Sequence, residues 1–169
     1  MTMRLLLCGV LMILLGSCYS FTGASIPSHL HTIGIPLAQD NSGFGQSEVK
    51  QDLTSLLVQK FTRDGSLQVR DRAVSDALLE VTISTISDLP VAVRSGTATT
   101  GEQLTNKRVT IIVDAVYRDM KKQKLIWERS FSQSSDYAIS GGLGALQTAI
   151  KNAEDKLSDD LLLGVISNW

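Results

Sequence analysis

Apolar and polar residues follow different rhythms along this chain, and each rhythm predicts an element. Leu5 to Leu15 is apolar and uncharged, with Arg4 before it and the small residues Gly16 and Ser17 after it. The run is too short to span a bilayer as a helix, and its flanks make it an export signal. His31 to Pro36 alternates briefly and stops at proline, as a short strand does. Leu37 to Gln46, rich in Gly, Asn and Ser, reads as loop. A helix follows. Ser47 is its expected N-cap and Glu48 puts a negative charge in its first turn. Val49, Leu53, Leu56, Leu57 and Phe61 then recur at helical spacing until Gly65, a natural stop.

Leu67 to Asp71 alternates as a strand, and Ala77 to Ser87 is rich in β-formers. Leu79, Val81 and Ile83 share one face of that second strand, with Glu80, Thr82 and Ser84 on the other. Asp88 to Asn106 is polar and long for a loop in a compact domain, which marks it as moving or touching a partner. Arg108 to Asp119 alternates again through Val109, Ile111, Val113, Ala115 and Tyr117. After the turn "DMKKQK", Leu125, Trp127 and Phe131 alternate with polar positions, so the two segments form a hairpin. Ser140 to Gly142 breaks it. Leu143 to Ile166 is a helix with Leu146, Ile150, Ala153, Leu157 and Leu161 on one stripe.

The order β-α-β-β-β-α, with one apolar stripe per helix, predicts an α+β two-layer sandwich. Two helices should cover one face of a small, mostly antiparallel sheet. The first strand and the strand after the first helix are expected to pair in parallel through the helical crossover. The other face of the sheet then carries Glu80, Thr82, Thr110 and Asp114 among Ile112 and Val116. It is polar enough to be wet and apolar enough to meet a partner.

Composition narrows the class. A chain of 169 residues with 16 basic and 17 acidic side chains holds one domain and has no basic excess for nucleic acid. Leu15-Gly16-Ser17-Cys18 looks like a bacterial lipobox, in which the cut falls before Cys18 and its thiol carries diacylglycerol. Cys8 leaves with the signal, so the mature chain keeps one cysteine and forms no internal disulfide. Several acyl chains, each buried methylene worth about 0.8 kcal/mol, give stable anchoring. Tyr19 is not the aspartate associated with inner-membrane retention, which favours the outer membrane. The expected organisation is a signal peptide over 1–17, a lipidated tether over 18–30 and one domain over 31–169. Tyr19 to His31 reaches roughly 40 Å at full stretch, which keeps the domain near its membrane.

An ordered series of stretches resembles the LptE family, the lipoproteins of lipopolysaccharide assembly. The series comprises Cys18-Tyr19-Ser20-Phe21 leading into Gly23, Ser25 to Pro36, "FTRDGSLQVRDRAVSDALLEVTI" (Phe61 to Ile83) and "RVTIIVDAVYRDMKKQKLIWERSFSQSSDY" (Arg108 to Tyr137). The resemblance covers most of the mature chain and rests on no single motif. It implies an outer-membrane lipoprotein that plugs the LptD β-barrel, helps that barrel assemble and binds lipopolysaccharide during its delivery to the cell surface. No cofactor is implied.

Candidate chemistry is sparse. Lys121, Lys122 and Lys124 cluster in the hairpin turn and could bind lipopolysaccharide phosphates and carboxylates; they equally suit a solvated turn. Lys107 and Arg108 sit at the opposite end of the same strand. His29 and His31 could form a metal pair, but no further ligand lies near them in sequence. Gly141-Gly142-x-Gly144 lacks the ending and context of a phosphate loop and reads as a strand-to-helix connection. No nucleophile, base and orienter are marked, so no enzyme is expected. Trp127 and Phe131 suit a core, and Trp169 could dock on a partner. The other open class is a lipid-anchored accessory or activator of a different envelope machine, a peptidoglycan synthase or an export pore.

Overall fold

The computed structural model describes residues 26–91 and 105–167. The export signal, Cys18, most of the tether, residues 92–104 of the long polar loop and Trp169 lie outside the described residues. The elements are β1 (Thr32–Gly34), β2 (Gln39–Asp40), α1 (Glu48–Asp64), β3 (Gln68–Arg70), β4 (Ala77–Val91), β5 (Asn106–Asp119), β6 (Lys124–Ala138) and α2 (Gly142–Ile166). Short 3-10 turns at Arg72–Val74 and Ile139–Gly141 join β3 to β4 and β6 to α2.

The α+β sandwich is the observed fold. Its sheet runs β3-β1-β4-β5-β6, with β2 pairing against β4 off that path. β4, β5 and β6 form the antiparallel body, while β1 pairs in parallel with both β3 and β4. The crossover through α1 therefore joins β1 to β3 as the patterning predicts. The strand count is larger than the predicted order implies. Asp71 caps the 3-10 turn by accepting from the Ala73 N–H at 2.9 Å, which separates β3 from β4. β2 is two residues of the expected loop, Gln39 opposite Thr82 and Asp40 opposite Ile83, and a segment that short shows no period.

Two further expectations need correction. Ser47 does not cap α1 with its side chain: its own backbone is already helical, at φ −64° and ψ −14°. The Gln46 carbonyl accepts from the Val49 N–H at 3.3 Å instead. The loop is also shorter than read, since β4 runs to Val91 and β5 starts at Asn106. Pro90 lies in β4 opposite Lys107, where no strand among the described residues pairs with its other edge. Proline is tolerated at such an edge. Gly65 does end α1, left-handed at φ 75° with its N–H on the Phe61 carbonyl.

The core lies between sheet and helices. Val49, Leu53, Leu57 and Phe61 of α1 meet Ile150, Leu157 and Leu161 of α2 and the inward row Leu79, Val81, Ile83, Val109, Ile111, Val113 and Tyr117. Each such side chain contributes about 1.5–3 kcal/mol when fully buried. A bulge at Ser84 shifts the phase of β4, so Ile83 and Ile86 both point inward. Trp127 belongs to this core, 5.6 Å from the Tyr117 ring and edge-on to Phe131 at 5.9 Å. Ile26 and Leu30 pack against it too, so the packed chain extends upstream of β1.

Candidate functional site

The helices leave one sheet face uncovered. Cross-strand partners share a face, so the registers Thr82–Asp114–Ser130, Thr85–Ile112–Ser132 and Ser87–Thr110–Ser134 lay three short rows across it. Most of these side chains are small and hydroxyl-bearing, with Ile112 and Val116 half-buried among them. The Ser130 hydroxyl donates to Asp114 across the strands. Larger charges at the ends of the face are paired within it. Arg108 holds Asp136 through two bonds of 2.5 and 2.8 Å, which keeps the Asp136 carboxyl below its ordinary range. Arg72 approaches Glu80 at 3.1 Å. The result is a long surface of small polar side chains with few unpaired charges.

At the hairpin turn the three predicted lysines divide. The Lys121 ammonium lies 3.0 Å from Asp76 and donates to the His29 carbonyl at 2.9 Å. Lys122 and Lys124 are exposed, and their ammonium groups have no partner among the described residues. Lys121 belongs to a polar knot. Asp76 accepts from the backbone N–H groups of His31 at 2.9 Å and Thr32 at 3.2 Å. The His31 N–H first, then Lys121 and the Thr32 side chain, pull its carboxyl down to about 2 against the effect of burial. His29 Nε2 sits 2.6 Å from Asp119, and the Lys122 N–H donates to the other Asp119 oxygen at 2.8 Å. Burial works against ionisation of Asp119, but these partners outweigh it and hold its carboxyl below the usual range.

His29 and His31 are thus separated in role: one ring meets Asp119, while the other residue is anchored through its backbone. Among the described residues no group of three His, Cys, Asp or Glu side chains is placed to hold a metal. Gly142, where the second 3-10 turn passes into α2, has φ 57° and ψ −148°, a conformation that favours glycine.

The opposite end of the hairpin is amphipathic. Asp88, turned inward beyond the bulge, accepts from the Lys107 ammonium and from the Tyr137 hydroxyl, each at 2.9 Å. Beside them Ile139, Leu143 and Leu146 complete a groove of about 300 Å³. Lys107 and Arg108 therefore stand apart from the turn lysines, on opposite faces of β5 and each already paired. No described helix is long and apolar enough to cross a membrane.

Patterning exposed the bare face but not the knot, whose long-range partners are 44 to 92 residues apart. It also passed over Glu154. That residue lies four after Ile150 and three before Leu157, inside the apolar stripe of α2, and the structure buries it completely. An acid at a stripe position was the available signal.

Residues 30–163 match the family model described as LptE, lipopolysaccharide-assembly. No curated protein matches the chain in sequence. Among solved structures, protein XCC0632 from Xanthomonas campestris is similar with a TM-score of 0.58 and 15% identity, over 84% of this chain and 89% of that one. The PelC dodecamer protein from Paraburkholderia phytofirmans gives a TM-score of 0.52 at 7% identity, over 86% and 95%. Rare lipoprotein B from Shewanella oneidensis gives 0.51 at 12%, over 75% and 91%. At these identities the likeness is one of fold.

Proposed function

The chain belongs to the LptE lipopolysaccharide-assembly family, and from that premise we propose that it is an outer-membrane lipoprotein whose domain plugs the LptD β-barrel. In this reading residues 1–17 are removed and Cys18 carries the lipid. The domain helps the barrel assemble and takes part in lipopolysaccharide transport to the cell surface, without catalysis.

The observation that supports it is the bare sheet face. The lumen of a large barrel is polar and water-filled. A face lined with Thr and Ser hydroxyls can exchange its water for lumen donors and acceptors at little cost, since each hydroxyl both gives and accepts. The charges at the ends of the face are already paired, so seating it strips water from few isolated ions. Lys122 and Lys124 add two uncommitted ammonium groups at the hairpin turn for lipopolysaccharide phosphates; Lys121 would join them only by sharing its bond to Asp76.

The test is purification of the tagged, lipidated full chain from detergent-solubilised envelope, with a photo-crosslinking residue at Ser132. A large outer-membrane barrel at equal stoichiometry, crosslinked through Ser132, is the expected result. Recovery of the lipoprotein alone, or with a periplasmic synthase or an export pore, overturns the reading and favours the accessory class.

A further inference from the structure

The polar knot also fixes where the folded chain begins. Ile26 packs against the core, and the Leu30 N–H donates to the Pro27 carbonyl at 2.9 Å, so one tight turn separates Ile26 from His29. His29 is held by Asp119 at 2.6 Å and by the Lys121 ammonium, which donates to its carbonyl at 2.9 Å. The tether therefore joins the domain at the hairpin-turn end. Lys121 and the nearest acids, Asp76 and Asp119, are spent on this knot. The turn itself is shaped by the Lys122 N–H on Asp119 at 2.8 Å. Gln123, left-handed at φ 51°, adds a bond of 2.6 Å to the Met120 carbonyl. Lys122 and Lys124 are left exposed there, with no partner among the described residues.

Tether length decides which end of the sandwich can meet a membrane. With lipid on Cys18, eight residue steps lead to Ile26, about 27 Å at full stretch. β5 alone, Asn106–Asp119, has 14 residues and is about 45 Å long at the rise of a strand. With the opposite end against the bilayer, Ile26 would stand farther away than the tether reaches. The turn end has no such limit. We propose that the hairpin turn is the membrane-facing end of the domain, and that Lys122 and Lys124 dock it on anionic phospholipid headgroups of the leaflet holding the anchor. An ammonium group binds a headgroup phosphate through charge-assisted hydrogen bonds. Each lysine near an anionic surface shifts the docking equilibrium roughly fivefold. The proposal rests on the lipidated Cys18 of the proposed function and not on the barrel. It gives these two lysines a phosphate partner that is present without lipopolysaccharide.

The test uses the full lipidated chain reconstituted in phosphatidylethanolamine vesicles with or without phosphatidylglycerol. A fluorophore sits at Gln123 in one sample and at the exposed Leu143, beyond the opposite end of the hairpin, in another. Both face a quencher carried on lipid headgroups. Quenching should be stronger at Gln123 than at Leu143, should rise with phosphatidylglycerol and should fall in high salt. Lys122→Gln with Lys124→Gln should lower the ratio of docked to undocked turn by about tenfold or more, with the melting temperature unchanged. Equal quenching at the two positions overturns the proposal, as does Gln123 quenching that ignores both phosphatidylglycerol and the double variant. Quenching at Gln123 that appears only when lipopolysaccharide is added to the vesicles overturns it too. Mass spectrometry of the N-terminal peptide keeps the two readings apart. A chain without acyl groups on Cys18 overturns the anchor and this proposal with it, whereas a lipidated chain with a remote turn overturns this proposal alone.

Discussion

His29 Nε2 lies 2.6 Å from Asp119 Oδ2, joining the segment before β1 to the end of β5 across 90 residues of sequence. The Asp119 side chain is 6% exposed and the His29 side chain 28%. The contact closes one end of the sandwich by tying the start of the folded chain to the hairpin turn.

Removing the imidazole leaves a nearly buried carboxylate short of a donor. His29→Ala should destabilise the domain by about 1–3 kcal/mol, read as a lower urea midpoint with an unchanged slope. His31→Ala removes an exposed ring whose residue is held by its backbone N–H, and should stay within about 0.5 kcal/mol of the parent. Equal losses at both positions would show that the Asp119 contact contributes nothing.

Asp76 gives the knot an acid limit. Its carboxyl is held at about 2, below the ordinary 3.8. The stability it contributes is fully present above the ordinary value and is lost as pH falls from 3.8 towards about 2. Urea titrations through that window should show stability falling in the parent and a flatter profile in Asp76→Asn. At neutral pH the variant should be weaker by about 1.5–3 kcal/mol, the range for a bond to a charged group.

Gly34 sits where β1 crosses the 3-10 turn. A Cβ there would come 2.7 Å from the Ser75 hydroxyl oxygen and 3.1 Å from the Arg72 Cα. Gly34→Ala should cost about 1–3 kcal/mol by overpacking. Adding Ser75→Ala should recover part of that loss and no more, because the Arg72 backbone remains in place.

Glu154 acts in the opposite sense to Asp76. Its folded-state value of about 8 exceeds the ordinary 4.5, so the folded state keeps a proton that the unfolded chain loses. The resulting stabilisation is complete below 4.5 and disappears as pH rises to about 8. Glu154→Gln should remove most of this slope and leave the domain more stable than the parent at pH 8. Parallel profiles for the two proteins would show that Glu154 is ionised in both states.

Under the proposed function the turn lysines should separate binding from stability. Lys122→Gln with Lys124→Gln should lower lipopolysaccharide affinity severalfold in a vesicle-free binding assay, with the melting temperature unchanged. Lys121→Gln should lower the melting temperature instead, since it removes the ion pair to Asp76. Unchanged affinity in the double variant would exclude these two lysines from lipopolysaccharide binding.

The sequence alone determined whatever rests on short-range periodicity. The alternation of β5 and the first half of β4, the stripes of α1 and α2, and the stop at Gly65 all follow from geometry that repeats every two to four residues. From these came the two layers and the identities of Thr82, Thr110 and Asp114 on the bare face. The tertiary structure decided the rest. β2 is two residues long and exists because β4 offers it an edge. Ser84 bulges to keep both Ile83 and Ile86 in the core, a choice made by packing and invisible to simple alternation. Ser47 already has helical backbone, and the Gln46 carbonyl accepts from the Val49 N–H in place of a side-chain cap. The His29–Asp119 and Lys121–Asp76 pairs, and the burial of Glu154 between two helices, depend on which distant elements meet. A single side chain records its own polarity, while its partner and its distance from water are properties of the assembled fold.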